Sequence, residues 1–234
     1  MKPITQLSLA VQLPDDETFS SYVSDKNQHV IEQLKQAINS DNNATGVYLF
    51  GQQGVGKSHL LHSCCTYASS LAKSSVCLSF SELQHLSVEL LEGLEQIDVV
   101  CLDDIELICG NALWQQAVFD LFNRMTEQSR FLIITGSESV QQLDLSLPDL
   151  KSRLSWGIVE QIKPLCDEDK RKAFQFRAKQ RGLLLQDETV KFLFNRLSRD
   201  MGHLLSCLDQ LDKASIREQR KITIPFIKDV LALN

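Results

Sequence analysis

The stretch Gly51–Ser58, which reads Gly-Gln-Gln-Gly-Val-Gly-Lys-Ser, decides the fold. It matches in full the pattern Gly-x-x-x-x-Gly-Lys-Ser/Thr, whose glycines let successive backbone N–H groups turn toward phosphate oxygens. An apolar run that predicts a strand, Val47–Phe50, comes directly before it, and a helical pattern from Ser58 to Lys73 follows. The helix N-terminus adds the positive end of its dipole. Because a chance glycine-rich turn would not explain this context, the sequence predicts a phosphate-binding loop.

Two side chains of this loop have predicted roles of their own. Lys57 is expected to reach the outer phosphates of a nucleotide, and Ser58 is expected to hold Mg²⁺ through its hydroxyl. The chain is therefore predicted to bind a nucleoside phosphate together with Mg²⁺. The residues of this region predicted to contact the nucleotide are Gly51, Gln52, Gln53, Gly54, Val55, Gly56, Lys57, Ser58 and His59.

Beyond the loop, four more short apolar runs predict strands, and helical patterns lie between them. The runs show little alternation, as expected for parallel strands that are covered on both faces. This order of strands and helices predicts an α/β fold with a parallel five-stranded sheet. The further strands are predicted at Val76–Ser79, Ile97–Leu102, Phe131–Thr135 and Gly157–Ile162, and the further helices at Ser81–Gly93 and Leu113–Gln128.

Polar residues stand at the carboxyl ends of two predicted strands, where open α/β sheets bind ligands. Asp103 suits Mg²⁺, a cation that takes oxygen ligands, and Asp104 could orient or deprotonate a water molecule aimed at a phosphate. Ser137 follows the next strand and could touch the terminal phosphate, although a simple turn would have the same residues. We predict that both aspartates belong to the phosphate site and leave the role of Ser137 open.

The charge of the 234-residue chain is unevenly distributed. The net charge is −6, but residues 1–162 hold 9 Lys and Arg against 20 Asp and Glu, whereas residues 163–234 hold 15 against 10. An acidic chain is a poor candidate for an independent DNA-binding protein, because phosphate affinity comes mostly from Lys and Arg. The break near Lys163–Pro164 predicts a boundary, beyond which the sequence shows only helical patterns.

Two further features limit the class of protein. The seven cysteines are odd in number and show no Cys-x-x-Cys spacing, which predicts reduced thiols rather than a disulfide or zinc framework. No secretory signal is visible, and no apolar run reaches the roughly 18 residues that a membrane span needs. We therefore expect a cytoplasmic protein without membrane contact.

Two longer stretches carry a family resemblance. Tyr48–His62 ends in Gly-Lys-Ser-His-Leu-Leu-His, and Asp149–Gly157 reads Asp-Leu-Lys-Ser-Arg-Leu-Ser-Trp-Gly. Together they resemble the AAA+ ATPases, and among these the ATPase domain of the bacterial replication initiators of the DnaA family. The resemblance runs from about Thr18 to the end of the chain. It implies a P-loop AAA+ core over residues 18–163 and an all-helical lid over residues 164–234.

The resemblance also assigns a role to Arg153, in the Lys-Ser-Arg part of the second stretch. In the family this position is an arginine finger that reaches the nucleotide of a neighbouring subunit. A guanidinium there stabilises the charge that develops around the γ-phosphate in the transition state. A surface salt bridge is the alternative for Arg153.

The extent of the chain resembles the Hda regulators of this family, which inactivate the initiator. About 17 residues precede the core, and the chain ends at Asn234, just past the lid, without the helix-turn-helix domain of the initiators. This resemblance implies that the chain binds an adenine nucleotide, with ADP expected rather than ATP, and has weak ATPase activity at most. It also implies DnaA as the partner whose bound ATP is hydrolysed through Arg153, in the cytoplasm at the nucleoid.

The first residues resemble a second known motif. Gln6–Val11 reads Gln-Leu-Ser-Leu-Ala-Val and is similar to the short peptides that bind the DNA polymerase sliding clamp, although Ala10 replaces the Phe of the five-residue form. Apolar anchors and a polar contact suit such a peptide. Residues 1–17 are therefore expected to be a clamp-binding tether, which would bring the chain to DNA with the positive lid as an auxiliary. The expected contacts are Gln6, Leu7, Ser8, Leu9 and Val11.

Two positions depart from the family pattern. Gly202 stands where the lid usually has the sensor 2 arginine, and Arg199, three residues earlier on the same helix face, could partly replace it. Ser137 stands where the initiator has Asp. Both departures argue against efficient self-hydrolysis and do not argue against nucleotide binding.

Two other classes stay open on the sequence. The chain could be an autonomous AAA+ ATPase, such as a helicase loader or remodelling protein that turns over ATP as a homo-oligomer. It could also be a small-molecule P-loop kinase, although such kinases place a mobile arginine-rich lid over an acceptor pocket, whereas the lid predicted here is a C-terminal helical bundle.

Overall fold

The computed structural model describes residues 17–40, 46–83 and 85–233. At its centre is a five-stranded sheet in the order β2-β3-β4-β1-β5, in which each neighbouring pair is parallel. This sheet confirms the predicted α/β fold. The strands are β1 Val47–Phe50, β2 Ser75–Ser79, β3 Val99–Asp103, β4 Phe131–Gly136 and β5 Ile158–Gln161.

Helices cover both faces of the sheet, and beyond β5 the described chain contains helices and connecting segments only. The helices that accompany the sheet are α1 Gln28–Asn39, α2 Lys57–Ser70, α3 Phe80–Leu83, α4 Ala112–Glu127 and α5 Pro148–Trp156. The helices that follow it are α6 Asp167–Gln180, α7 Asp187–Arg196, α8 Met201–Glu218 and α9 Ile224–Leu231. Short 3-10 turns lie at Asp25–Asn27, Val88–Leu91, Leu94–Gln96 and Ile105–Ile108.

Strands β1 to β4 are covered on both faces because successive apolar side chains of each strand enter different hydrophobic clusters. In β1, Tyr48 belongs to the cluster on one face and Leu49 to the cluster on the other. Leu60 and Leu61 of α2 belong to the same cluster as Leu49 and are fully buried. This packing fixes α2 against β1, so that the intervening loop is held at the carboxyl edge of the sheet.

A third hydrophobic cluster packs the last four helices against one another. Its buried members lie between Phe174 and Ile227, and they include Leu193 of α7, Leu208 of α8 and Phe226 of α9. The helices after β5 therefore have a core of their own, and we refer to them as the lid.

One predicted element is wrong in its form. The sequence predicted a single helix over Ser81–Gly93, but α3 ends at Leu83 and 3-10 turns follow at Val88–Leu91 and Leu94–Gln96. Ser87 has an extended backbone (φ −85°, ψ 145°), which an α-helix cannot contain. The break lets both Leu83 and Leu91 enter the same hydrophobic cluster, so tertiary packing overrides local helix propensity here.

The structure also describes the cysteines and the apolarity of the helices. The seven cysteines are free thiols. Over the described ranges, no helix combines the length and the apolarity that are needed to cross a membrane.

A close backbone approach at Gly157 gives a prediction for folding. A Cβ atom at this position would clash with the backbone carbonyl of Gly46, which accepts the hydrogen bond from the N–H of Ile158 at 3.0 Å. Gly157→Ala should therefore lower the free energy of unfolding by about 1–3 kcal/mol, as overpacking does in tight cores, in urea denaturation. Gly202→Ala is the control, because Gly202 lies in α8 and a Cβ atom there would meet a side-chain oxygen, Oδ1 of Asp200 at 3.2 Å, rather than backbone. It should cause a smaller loss than Gly157→Ala, and equal losses in the two variants would contradict the prediction.

Candidate nucleotide-binding site

The loop between β1 and α2 needs glycine at two positions. Gly54 and Gly56 have φ angles of 80° and 94°, in the left-handed region that favours glycine. A Cβ atom at position 56 would lie 2.7 Å from Cε2 of Tyr22, and one at position 54 would lie 2.6 Å from Oδ2 of Asp200. The loop therefore curls between an aromatic ring of the core and a carboxylate of the lid, with no room for side chains at these points.

Lys57 begins α2, and its side chain is buried beneath this loop. Its Nζ donates to the carbonyl oxygen of Gly51 at 2.8 Å and to that of Gln52 at 3.4 Å. Within the described part of the chain no carboxylate forms a salt bridge with it. A buried ammonium whose partners are neutral carbonyls favours an anion beside it, so the loop fits a phosphate group.

Three oxygen-bearing side chains meet next to the loop. The Ser58 hydroxyl donates to Oδ2 of Asp103 at 2.5 Å, and the Thr135 hydroxyl donates to Oδ1 of the same carboxylate. Asp103 and Thr135 are buried on the neighbouring strands β3 and β4. Hydroxyl and carboxylate oxygens are ligands that Mg²⁺ prefers, so Ser58 and Asp103 fit this ion, with Thr135 orienting the carboxylate.

Asp104 follows Asp103 and lines the same site. It has left-handed backbone angles (φ 62°, ψ 52°), which turn the chain sharply after β3. Burial raises the pKa of its carboxyl group to about 6, with the negative charges of Asp103 and Glu106 adding and Lys57 opposing. A carboxyl group with this pKa can hold or release a proton near neutral pH.

A cavity of about 320 Å³ lies over the loop, between the core and the lid. Its core wall includes Tyr22, whose hydroxyl donates to the carbonyl oxygen of Val55 at 3.0 Å and whose ring packs edge-on against His59. The residues that line it and precede β5 are Glu17, Ser21, Tyr22, Val23, Gln53, Gly54, Val55, Gly56, Lys57, Ser58, His59 and Asp104. Those that follow β5 are Leu165, Ala173, Arg177, Met201, Gly202 and Leu205.

Other residues that the sequence singled out do not line this cavity. The backbone N–H of Ser137 donates to the Glu106 carboxylate at 3.1 Å. Arg199 pairs with Asp167 in a separate surface pocket. Arg153 lies on α5, with its guanidinium carbon 5.1 Å from the ring centroid of Trp156. The motif at Gln6–Val11 lies outside the described residues.

A charged cluster at the cavity was not predicted from the sequence. Glu17 accepts a hydrogen bond from Arg177 of α6 at 2.8 Å and is hydrogen-bonded to Nδ1 of His62 of α2 at 2.5 Å. Arg177 also lies 3.4 Å from Nδ1 of His59. Glu17 and Arg177 are 160 positions apart in the chain, so no local sequence pattern could have brought them together. Thr135 escaped for a related reason, because its partner stands on another strand.

The two ends of the Glu17–His62 pair shift each other's pKa in opposite directions. Burial works to raise the pKa of Glu17, but the hydrogen bond from His62 and the charges of His59, His62 and Arg177 outweigh it and lower the pKa to about 2. The hydrogen bond to Glu17 raises the pKa of His62, against the effect of its burial. The pair is therefore an ionised carboxylate that favours protonation of its histidine partner.

Comparison with known families assigns both parts of the chain. Residues 13–161 match the family of bacterial DnaA ATPase domains, and residues 167–231 match the family of Hda lid domains. The first match covers more than half of the sequence and includes the phosphate loop, Asp103, Asp104 and Arg153.

Solved structures with a similar fold include domain III of the replication initiation protein DnaA from Thermotoga maritima. The TM-score is 0.80 at 18% identity, over 94% of this chain and 98% of that one. AMPPCP-bound DnaA from Aquifex aeolicus has a TM-score of 0.70 at 21% identity, over 89% of this chain and 71% of that one. The RuvB Holliday junction branch migration motor of Thermotoga maritima has a TM-score of 0.69 at 14% identity, over 95% of this chain and 73% of that one. At these identities the likeness shows the AAA+ fold alone.

The raised pKa of His62 predicts a pH-dependent contribution to stability. The contribution is complete below about pH 6.5, the usual value for histidine, and is lost as the pH rises through the higher value of the folded protein. His62→Gln should therefore lower the free energy of unfolding more at pH 6 than at pH 9, as measured by urea denaturation. His29→Gln is the control, because His29 faces Glu160 at 3.4 Å with half of its side chain exposed. A loss for His62→Gln that does not change with pH would refute the prediction.

Proposed function

The chain belongs to the bacterial DnaA ATPase-domain family of AAA+ proteins, and on this premise we propose that it regulates replication initiation by inactivating DnaA. In this proposal it holds an adenine nucleotide, ADP, with Mg²⁺ in the cavity between core and lid. It then promotes hydrolysis of the ATP that is bound to DnaA. The match of residues 167–231 to the Hda lid domain supports a DnaA-related regulator over a different AAA+ protein.

The loop and its neighbours support the nucleotide part of the proposal. The buried Lys57 ammonium and the N-terminus of α2 suit the phosphates, and Ser58 and Asp103 suit the ion. Bound Mg²⁺ supplies positive charge that offsets the charge of the phosphate oxygens. One of the similar structures, DnaA from Aquifex aeolicus, is bound to the nucleotide analogue AMPPCP.

The position of Arg153 is the observation that best supports the proposed action on DnaA. Arg153 stands in the last turn of α5 and, among the described residues, forms no salt bridge or hydrogen bond through its side chain. Its contact is the face of Trp156, a ring that is 65% exposed. A guanidinium held by a cation–π contact at the surface stays charged and partly pre-oriented. It is therefore suited to enter the nucleotide site of another subunit, where DnaA holds ATP.

The sequence motif at Gln6–Val11 extends the proposal to the sliding clamp. An extended peptide of this kind binds through apolar anchors at alternate positions, here Leu7, Leu9 and Val11. We propose that the clamp localises the chain on DNA, where it meets DnaA. This arrangement raises the effective concentration of the two proteins without requiring strong DNA binding by the acidic chain.

Asp104 favours a second candidate function, that of an autonomous ATPase. It lines the cavity near Lys57, and a carboxylate there can orient an attacking water molecule. The two functions differ in phosphate release by the isolated protein. Brisk steady-state release that Lys57→Ala abolishes would favour the autonomous ATPase and count against the regulator.

The arginine-finger role predicts a large effect of one substitution. Arg153→Ala should reduce the stimulation of ATP hydrolysis in a mixture of ATP-loaded DnaA, clamp-loaded DNA and this protein by about 10³-fold or more, because trans guanidinium groups contribute that much to phosphoryl transfer. Arg153→Lys should not restore it, because an ammonium lacks the planar fork. Lys151→Ala, two residues away on the same helix, is the matched control with full activity expected. Wild-type activity in Arg153→Ala would exclude the proposed mechanism.

The clamp motif predicts a different pattern of loss. A Leu7→Ala/Leu9→Ala double variant should lose the stimulation that depends on clamp-loaded DNA, because its apolar anchors are removed. Nucleotide binding by the same variant should remain at the wild-type level in equilibrium titration. Thr5→Ala, just before the motif, is the control. If the double variant still responds to the clamp like wild type, the motif has no such role.

A further inference from the structure

Among its described residues, the lid presents one basic side chain to the cavity, and this side chain is not Arg199. Among the described residues that line the cavity, the basic side chains are those of Lys57, His59 and Arg177. The first two belong to α2, whereas Arg177 belongs to α6. Arg199 pairs with Asp167 on a different face of the lid.

Arg177 is buried and is held by Glu17, the residue just before the predicted core. Its side chain is 4% exposed, and it donates to Oε1 of Glu17 at 2.8 Å. A guanidinium in such surroundings is unfavourable unless its charge is compensated. The Glu17 carboxylate supplies that compensation, so the position of Arg177 depends on the position of Glu17.

Glu17 is in turn attached to α2 by two further contacts. Its other carboxylate oxygen, Oε2, is hydrogen-bonded to His62 at 2.5 Å, and its backbone carbonyl accepts a hydrogen bond from the Thr66 hydroxyl. One residue thus joins the helix that begins at the phosphate loop to the first helix of the lid. Both Glu17 and Arg177 lie at the wall of the cavity.

We propose that Glu17 is a positioning residue that holds Arg177 at the cavity, and that this pair sets how long a bound nucleotide remains there. The inference rests on the proposed function, in which the cavity binds a nucleotide. A nucleotide enclosed between the loop and the lid leaves when the lid moves away from the core. That movement breaks the hydrogen bond between Arg177 and Glu17, so the pair opposes it. Loss of one partner of such a pair acts on dissociation more than on association.

The experiment measures release of a fluorescent ADP analogue from the full chain by stopped flow, in the presence of Mg²⁺ and excess unlabelled ADP. Glu17→Gln should release the analogue about ten-fold faster than wild type, within the usual range for coupled sites, while the association rate changes by less than about two-fold. Arg177→Lys keeps the positive charge but lacks the planar, forked guanidinium. Its release rate should therefore lie between those of wild type and Glu17→Gln. A double variant with Glu17→Gln and Arg177→Lys should be no faster than Glu17→Gln alone, because both act through one contact.

A matched control separates this role from a general loss of lid stability. Arg181, one turn further along the chain from Arg177, pairs with Asp209 of α8 within the lid. Asp209→Asn should release the analogue at the wild-type rate, and urea denaturation of the nucleotide-free variants reports how much stability each one loses. If Glu17→Gln releases at the wild-type rate, or if Asp209→Asn is accelerated as much, the inference is wrong while nucleotide binding stands. If wild type binds no analogue at all, the proposed function and the inference fail together.

Discussion

The burial of the Lys57 ammonium at the junction of β1 and α2 is the interaction on which the rest of the site depends. The sheet is covered on both faces, so β1 and α2 are fixed by packing before the loop between them is considered. The loop must then turn over the ammonium with left-handed glycines at Gly54 and Gly56. The ammonium donates hydrogen bonds to the loop's carbonyl oxygens at Gly51 and Gln52. This arrangement leaves backbone N–H groups and a positive charge on one concave surface, which is the chemistry of a phosphate site.

The carboxyl groups near the Lys57 ammonium have different local environments. Asp103 accepts hydrogen bonds from Ser58 and Thr135 and is suited to a metal ion. Asp104, the next residue, has a pKa that burial and neighbouring negative charges raise. Glu17 faces His62 and Arg177, and its pKa is lowered. The three carboxyl groups along this site therefore have different hydrogen-bond partners and different neighbouring charges.

The phosphate loop could be predicted from the sequence because its geometry is local. About fifteen consecutive residues contain the glycine spacing, the strand before it and the helix after it. The continuous apolar runs likewise predicted the parallel sheet. The helix predicted over Ser81–Gly93 failed because burial of Leu91 is decided by contacts outside that segment. Thr135, Glu17 and Arg177 could not be found because their partners lie on other strands and helices. Helical spacing led to the prediction for Arg199, and in the structure this residue pairs with Asp167.

We propose that this chain holds its own nucleotide and promotes hydrolysis of the one held by DnaA. The most direct measurement is the source of released phosphate in single-turnover mixtures with clamp-loaded DNA, in which only one protein is preloaded with γ-labelled ATP. We expect rapid release of label when DnaA carries it and this chain carries unlabelled ADP, and slow release when the label is preloaded on this chain. Equally rapid release from this chain, without a requirement for DnaA, would contradict the proposed function.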